Sequence, residues 1–279
     1  MTFTRKAVCQ GLVLFTIACS MLAAVAQAQT TSPEQLAWNI LQDGTTNKNS
    51  DQRVSAVTAL ALITDNPKAA TMAEQALQDQ NPDVRAAAAT SLGTMKAKGS
   101  VPALIKALGD SDPKVIMSAA HSLVLLDNED GYDAYYAVAT GEQKSGQKLI
   151  PAEEQKLNTL LHNPKDLAES AFEQGIGFVP FGGISYGAFK TFRDRNANAT
   201  VVKATALKML AKDPDPRSGK ALVAATTDQD WVLRSAAYDA IARRGEKSLL
   251  PDISNGLTDQ NEVVKLTAAA AVAQLSALR

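Results

Sequence analysis

One short sequence unit recurs six times along this chain, and the repetition constrains the fold more than any other feature. The copies align on the residues Gln52, Val84, Val115, Val202, Leu233 and Val264. Successive copies begin 32, 31, 87, 31 and 31 residues apart. The sequence therefore predicts six copies of one structural unit, and the single wide interval indicates an insertion between the third copy and the fourth.

Each unit has the pattern of a helical hairpin. Small or apolar residues recur at four-residue intervals, as Ala88 and Leu92 do, which is the spacing of one helix face. A second helix follows in the clearest copies, beginning at Val101-Pro102 and at Leu250-Pro251.

The joints between units carry helix-start signals. Pro82 and Pro113 suit a first helical turn, where the missing N–H costs nothing. In the fourth copy Ala199 stands at the capping position, so Asn198 or Thr200 is expected to cap instead. The side chains predicted to cap the other first helices are Asn49, Asn81, Asp112, Asp230 and Asn261.

The pattern Val84-Arg85-x-x-Ala88-x-x-x-Leu92-Gly93, followed by Val101-Pro102-x-Leu104, resembles the HEAT repeat, in particular the short bilin-lyase-like class. The resemblance implies an all-α protein, a right-handed α-solenoid of helical hairpins. It also implies a concave surface of second helices, which the family generally uses to bind proteins. The predicted organisation is a signal peptide (1–28), a capping helix (29–46), repeats 1–3 (47–142), a helical Gly/Phe-rich insertion (143–195) and repeats 4–6 with the last one partial (196–279).

The segment before the first repeat reads as a cap. Ser32 and Gln35 have the spacing of a capping box, Pro33 suits the first helical position, and Gly44 is expected just beyond the end of the helix. Trp38 is expected to cover the open apolar end of the first repeat.

The first 28 residues have the features of an export leader. Arg5 and Lys6 precede an apolar run, and Ala26-Gln27-Ala28 supplies the small residues that a signal peptidase requires. Cleavage after Ala28 predicts a periplasmic or secreted protein. The alternatives are a transmembrane anchor and a lipoprotein attached through Cys19.

Cleavage would leave a chain without cysteine and without a positive surplus. Cys9 and Cys19 both lie in the leader, so no disulfide and no thiol nucleophile is expected after it. Loss of Arg5 and Lys6 changes the formal net charge from −1 to −3. Nucleic acid is therefore not an expected partner, because binding its backbone requires clustered Lys and Arg.

Repeated charges are predicted to be structural. A basic residue recurs at one position of the unit and an acid at another, in the turns. Repetition in unit after unit favours a ladder between neighbouring units over a catalytic pair, because an enzyme places unique groups at one point. The basic residues are Arg53, Arg85, Lys203, Arg234 and Lys265, and the acids are Asp79, Asp110, Asp228 and Asp259.

No catalytic residue, metal site or cofactor is predicted. The two histidines, His121 and His162, lack an acid in helical register or any other ligand group beside them. Zinc-ligand spacing is absent from the sequence. The Gly175-Ile176-Gly177 stretch has neither the preceding strand nor the lysine of a nucleotide loop.

Aromatic residues are concentrated in the insertion, in and beside the stretch GIGFVPFGGISYGAF at residues 175–189. Helices are expected over 151–161, 164–174 and 184–195. The phenylalanines could fill a junction between the two groups of repeats, form a partner site, or touch a lipid surface. A spanning helix is not expected, because the uncharged stretch is short and contains Pro180.

The hypothesis from sequence is an exported, non-catalytic scaffold that binds a protein partner of unknown identity. Tyr132 and Tyr135 are expected at inward positions of the third repeat, and Tyr136 on the concave side. A lyase-like or small-ligand-handling protein and a peripheral membrane-contacting module are the alternatives. The predicted binding residues are Tyr136, Phe178, Val179, Phe181, Ile184 and Tyr186.

Charged substitution of Phe178 and Phe181 separates these roles. If the loop is a partner site, the double change to Glu should abolish partner capture and leave the thermal unfolding midpoint unchanged. A large fall in that midpoint would instead favour a buried junction.

Overall fold

A computed structural model describes residues 31–140 and 197–278, and within these ranges it contains helices and no strands. The first array comprises α1 (Pro33–Thr45), α2 (Ser50–Leu60), α3 (Pro67–Ala76), α4 (Pro82–Thr94), α5 (Val101–Ala107), α6 (Pro113–Leu125) and α7 (Glu129–Thr140). The second array comprises α8 (Ala197–Leu210), α9 (Pro216–Ala225), α10 (Trp231–Arg244) and α11 (Glu262–Ala277). Short 3-10 helices lie at Lys98–Ser100, Lys247–Asp252 and Ser254–Thr258. The predicted all-α fold class is confirmed, while the predicted insertion lies outside the described residues.

The first helices begin where the sequence predicts. Asn49 accepts hydrogen bonds from two backbone amides of the first turn of α2, and each of the four other predicted caps accepts from one or two amides of its own helix. The fourth unit differs, because α8 begins at Ala197 and already contains Asn198 and Thr200. The Thr200 hydroxyl bonds to Asp230 Oδ2 at 3.0 Å and so ties α8 to the cap of α10.

The helices stack in two layers. One layer holds the first helices in the spatial order α8, α10, α11, α2, α4 and α6, each packed against the next. The other holds the second helices in the order α9, the two 3-10 helices at 247–258, α1, α3, α5 and α7. Numbered by the sequence, the units therefore stack as four, five, six, one, two, three.

Helix α1 completes the sixth unit. It packs against α11 and also contacts α2, α3 and the 3-10 helix Ser254–Thr258. Gly44, near the end of α1, lies beside Leu266, near the start of α11, so the two helices are antiparallel as in the other hairpins. From sequence α1 is expected to cap the first unit. In the structure it also occupies the place of the second helix that the sixth unit otherwise lacks.

Gly44 lies inside α1, and not beyond its end as the sequence predicts. The reason is close packing with its neighbours. A Cβ at this position would stand 2.7 Å from the Ala56 Cβ and 2.8 Å from Leu266 Cδ2. Glycine is therefore required here for the approach of α1 to both α2 and α11.

One continuous apolar core runs through both arrays. Leu41 and Leu60 from the first array share it with Ile241 and Leu275 from the second. A polar pair crosses the same joint, because the backbone N–H of Thr64 donates to Gln274 Oε1 at 3.0 Å and Gln274 Nε2 meets Thr64 Oγ1 at 3.1 Å. The two arrays are thus joined through α11, α1 and α2.

Because α1 completes the sixth unit, we expect the chain to tolerate circular permutation. A permutant with residues 141–279 followed directly by 31–140 converts the sixth unit into an ordinary hairpin. Its connection would have four residues, against five (211–215) in the fourth unit. We expect unchanged helical circular dichroism and a thermal midpoint within about 4 °C of the parent, equivalent to about 1 kcal/mol.

A permutant opened at Gly99 is the matched control. It carries the same new junction but breaks the second hairpin, so its midpoint should fall further. An equal loss in both permutants would contradict the role assigned to α1.

Candidate interaction surface

Three arginines link successive turns of the stack. Arg53 binds Asp79 through two parallel hydrogen bonds, Nε to Oδ2 at 2.7 Å and Nη2 to Oδ1 at 2.8 Å. Its Nη1 also donates to the Asn47 carbonyl at 2.8 Å, in the turn before its own helix. Each arginine therefore spans the turns that begin two neighbouring first helices. The same arrangement recurs at Arg85 with Asp110 and at Arg234 with Asp259.

We call each of these arginine–aspartate bridges a rung. The aspartate of a rung contacts two units at once. Asp79 receives Arg53 on its side chain, while its backbone carbonyl accepts from Arg85 Nη1 at 2.9 Å. Its Oδ1 also accepts from the Asn81 amide at 2.8 Å, which orients the carboxylate. The predicted ladder is confirmed at these positions, and the bidentate geometry explains why arginine stands there.

Hydrogen bonding lowers the pKa of all three rung carboxyls. At Asp79 the hydrogen bond from its arginine is the largest influence and lowers the pKa. Burial by itself would raise the pKa of Asp110 and of Asp259. The hydrogen bonds from their arginines and from backbone amides outweigh it, so both pKa values are lowered as well.

The two lysines of the predicted ladder do not reproduce these rungs. Lys203 is exposed, and Lys265 pairs with Glu262 of its own helix at 2.7 Å. The sixth unit also lacks the acid of a rung. Asn47, which follows α1, stands at the position that Asp79 occupies after α3, and its side chain is neutral. The Asn47 side chain keeps only the turn contact, accepting from the Asn49 amide at 2.8 Å. A compact ammonium with a single point of contact explains the loss of the bidentate bridge at the lysine positions.

The second helices bury one stripe and expose the opposite one. On α3, for example, Ala69 and Ala73 are buried while Thr71 and Gln75 are exposed. We call the exposed stripe the second-helix surface, and it mixes apolar and neutral polar groups with charged residues such as Asp43 and Lys106. Its members on α1, α3, α5 and α7 include Leu36, Asn39, Thr71, Gln75, Ile105 and Tyr132.

The inward position predicted for Tyr132 is wrong. Its side chain is 61% exposed, whereas Tyr135 is half-buried and burial raises its pKa. Gly131 explains the difference, because a Cβ there would lie 2.6 Å from the Ala120 carbonyl oxygen of α6. Helix α7 therefore meets α6 at Gly131, and the next residue points away. Tyr136 belongs to α7, but its side chain is outside the described part.

Trp38 lies under a lysine of the first unit. The indole is 8% exposed, and Lys68 Nζ stands 4.3 Å from its ring centroid. Trp38 therefore packs against the first unit, but the end that it was expected to cover is not open, because α11 also packs against α2. A cation over a partly desolvated tryptophan face is worth about 0.5–2 kcal/mol, which adds to the attachment of α1 to α3.

A charged cluster around the buried Asp239 links the fourth unit to the fifth. Lys208 Nζ is 3.7 Å from Asp239 Oδ2, and Arg243 Nε donates to the other oxygen at 2.9 Å. Burial lowers the pKa of Lys208, although the neighbouring carboxylate opposes the shift. This cluster was not identified from sequence. The signal was available, because Lys208 and Asp239 occupy the same repeat position and adjacent units place such residues opposite each other.

The described part of the chain gives no catalytic or metal-binding role to the other residues considered from sequence. His121 is half-buried on α6, and burial lowers its pKa. Within residues 31–140 and 197–278, no group of three or more His, Cys, Asp or Glu could hold a metal ion. In the same ranges no helix has the length and apolarity to cross a bilayer. His162 and the predicted binding residues Phe178, Val179, Phe181, Ile184 and Tyr186 lie outside the described residues.

Comparison with known proteins gives a match to one family. The model described as HEAT repeats matches residues 70–141 and 193–273. The chain is similar in structure to a chain of the CpcE–CpcF complex of phycocyanin lyase from Nostoc sp. PCC7120, with 20% identity, 87% of this chain and 88% of that chain covered, and a TM-score of 0.32. It is also similar to an engineered protein, with 17% identity, coverage of 88% and 96%, and a TM-score of 0.28. At these TM-scores neither likeness bears on function. No curated protein matches the chain.

The rungs predict an acid-sensitive contribution to stability. Replacing Asp110 with Asn should lower the free energy of unfolding at pH 7 by about 1–3 kcal/mol, because a charge-assisted bidentate contact is lost. The folded pKa is lowered, so this contribution is complete above the unfolded value of about 3.9 and is lost as the pH falls through the folded pKa. Urea unfolding at several pH values should show the difference shrinking below about pH 4.

Asp83→Asn is the matched control. Asp83 makes an exposed pair with Lys114 at 3.2 Å, and its loss should cost less than about 1 kcal/mol. Equal losses from both variants, or a difference that does not change with pH, would contradict the ladder's role.

Proposed function

The chain belongs to the HEAT-repeat family, and on that basis we propose that it is a non-catalytic scaffold that binds a protein partner on its second-helix surface. The observation that carries the proposal is the continuity of this surface through the joint between the arrays. Helix α1 lies between the 3-10 helix Ser254–Thr258 and α3, so the second helices of the two arrays meet in one layer. A partner would then contact α1 near the middle of the layer.

The composition of the surface suits a protein ligand. Leu36, Ile105 and Tyr132 are exposed among polar side chains. These include the neutral Asn39 and Gln75 and the charged Lys106. Aromatic and apolar groups are the residues that interface cores prefer, and neutral polar groups around them supply hydrogen bonds. Such a surface lacks the basic stripe that a nucleic acid backbone requires.

The rungs, which lie in the turns between units, support the same function. Each arginine holds two successive turns at 2.7–3.0 Å, which fixes the step from one unit to the next. A surface whose units are held in place loses less conformational entropy when a partner binds. The ladder therefore favours a preformed binding face.

The insertion is a second proposed element of the binding site. Residues 141–196 connect α7 to α8, which belong to units at opposite ends of the stack. The aromatic residues predicted to bind a partner, from Phe178 to Tyr186, belong to this connection. A permutant with residues 197–279 followed by 31–140 omits the connection and keeps all six units. Compared with the permutant that retains residues 141–196, it tests the contribution of the insertion.

Export is part of the proposal. Cleavage after Ala28 would leave Pro33, the first residue of α1, close to the new N-terminus. The amino-terminal sequence of the protein recovered from the periplasmic fraction would decide this, and a leader that is retained would contradict it. Flotation with liposomes would test for a peripheral membrane contact.

The scaffold role is tested by affinity for a purified partner. A protein captured from an envelope extract is identified by mass spectrometry, purified and titrated against the chain that starts at Gln29. Replacing Leu36 and Tyr132 together with Glu should weaken binding at least about tenfold, equivalent to about 1.4 kcal/mol, because two apolar contacts are replaced by unpaired charges.

Met209→Glu is the control for this experiment. Met209 is 62% exposed, but it lies on α8 in the layer of first helices. Equal weakening by this change, or no weakening by the double change, would contradict the assignment of the surface. A small molecule found on the native protein by mass spectrometry would favour the ligand-handling alternative.

A further inference from the structure

The two arrays meet through a joint that contains no direct covalent link. Helix α11 packs on α1 and α2, and the 3-10 helix Ser254–Thr258 also contacts α1. Gly44 lies against Leu266, and Thr64 exchanges two hydrogen bonds with Gln274. All of these contacts join a residue of the first array to a residue of the second.

The covalent connection between the arrays runs elsewhere. Residues 141–196 join α7 of the third unit to α8 of the fourth, and these units stand at opposite ends of the stacking order. In every other unit the two helical segments follow each other directly in the chain. In the sixth unit, α11 would make the same contacts with an α1 supplied by a second copy.

The sixth unit can therefore be completed by α1 of the same chain or by α1 of a second chain, and both arrangements use identical contacts. The balance between them depends on the connection through residues 141–196 and on the protein concentration. Repeat proteins are prone to this type of exchange, because their units recognise each other through local interfaces.

We infer that two copies of this chain exchange arrays and form a dimer with two complete six-unit stacks. Each stack combines the first array of one copy with the second array of the other. Each stack also presents a full second-helix surface, so the dimer would offer two equivalent partner sites. This inference concerns assembly and does not depend on the identity of the partner.

Refolding at different concentrations tests the exchange. The chain that starts at Gln29 is unfolded in urea and refolded by dialysis at about 1 µM and at about 0.5 mM, and its mass is then measured by light scattering. Tethered modules have effective concentrations on the order of mM for short connections and lower values for long ones. We expect monomer at the lower concentration and a substantial dimer fraction at the higher one. Monomer alone at both concentrations would overturn the inference.

Cysteine cross-linking then identifies the kind of dimer. The only cysteines, Cys9 and Cys19, precede Gln29, so introduced cysteines are unique. A Thr64→Cys chain and a Gln274→Cys chain are refolded together at high concentration and treated with a short bismaleimide. A covalent heterodimer is expected, because exchange places Thr64 of one copy beside Gln274 of the other.

Two controls complete the design. A Gly99→Cys chain replaces the Thr64→Cys chain in one mixture. It should not cross-link, because Gly99 belongs to the second unit and its segment does not pack against α11, which carries Gln274. A single chain that carries both Thr64→Cys and Gln274→Cys should give a covalent dimer from the exchanged form. If its dimer fraction instead runs as an internally linked monomer on a denaturing gel, the copies associate side by side and the inference is wrong.

Discussion

The packing of α1 against α11 and α2 is the contact on which the rest of the structure depends. The other five hairpins are closed by short connections, whereas the sixth joins segments from the two ends of the described chain. The chain between α1 and α11 forms one long loop when these helices pack together. Closing it costs roughly 3 kcal/mol more in chain entropy than closing a six-residue loop. Close apolar packing offsets that cost, and the absence of a side chain at Gly44 allows it, because α1 approaches Ala56 and Leu266 almost to contact.

Charge is used differently inside the arrays and between them. Within the arrays, bidentate arginine–aspartate rungs fix one turn relative to the next. At the joint the corresponding residues are Lys265 and Asn47, and the polar contact across it is the neutral pair of Thr64 and Gln274. The joint therefore depends on apolar burial and shape, while the three steps that have rungs also depend on ion pairs whose carboxyl pKa values are lowered.

The function proposed here follows from how these two kinds of contact combine. Rungs hold the first unit to the second, the second to the third and the fifth to the sixth, and the joint makes the second helices of both arrays into one layer. A surface of exposed apolar and polar side chains on one continuous layer is suited to recognising another protein. The position of α1 in the middle of that layer would make a helix at one end of the sequence central to binding.

The sequence by itself determined the repeated unit, the caps and the ladder, because each depends on residues separated by a fixed short interval. Asn81, Arg85 and Ala88 can be interpreted from one copy and checked in five others. Only the tertiary structure decided the place of α1, because contacts between distant segments leave no periodic signal. Pro33 and the Asn47-x-Asn49 turn do match the second helices and turns of other units, but their meaning depends on which helix they face.

The same reason explains the remaining differences. Tyr132 faces solvent because Gly131 sets how closely α7 meets α6, and the approach of two helices cannot be deduced from the spacing within one. Lys208 and Asp239 meet because adjacent units superpose equivalent positions. Periodicity specifies which face of a helix is apolar, whereas the distance and the partner of that face depend on side-chain volumes at the contact, which only the packed structure brings together.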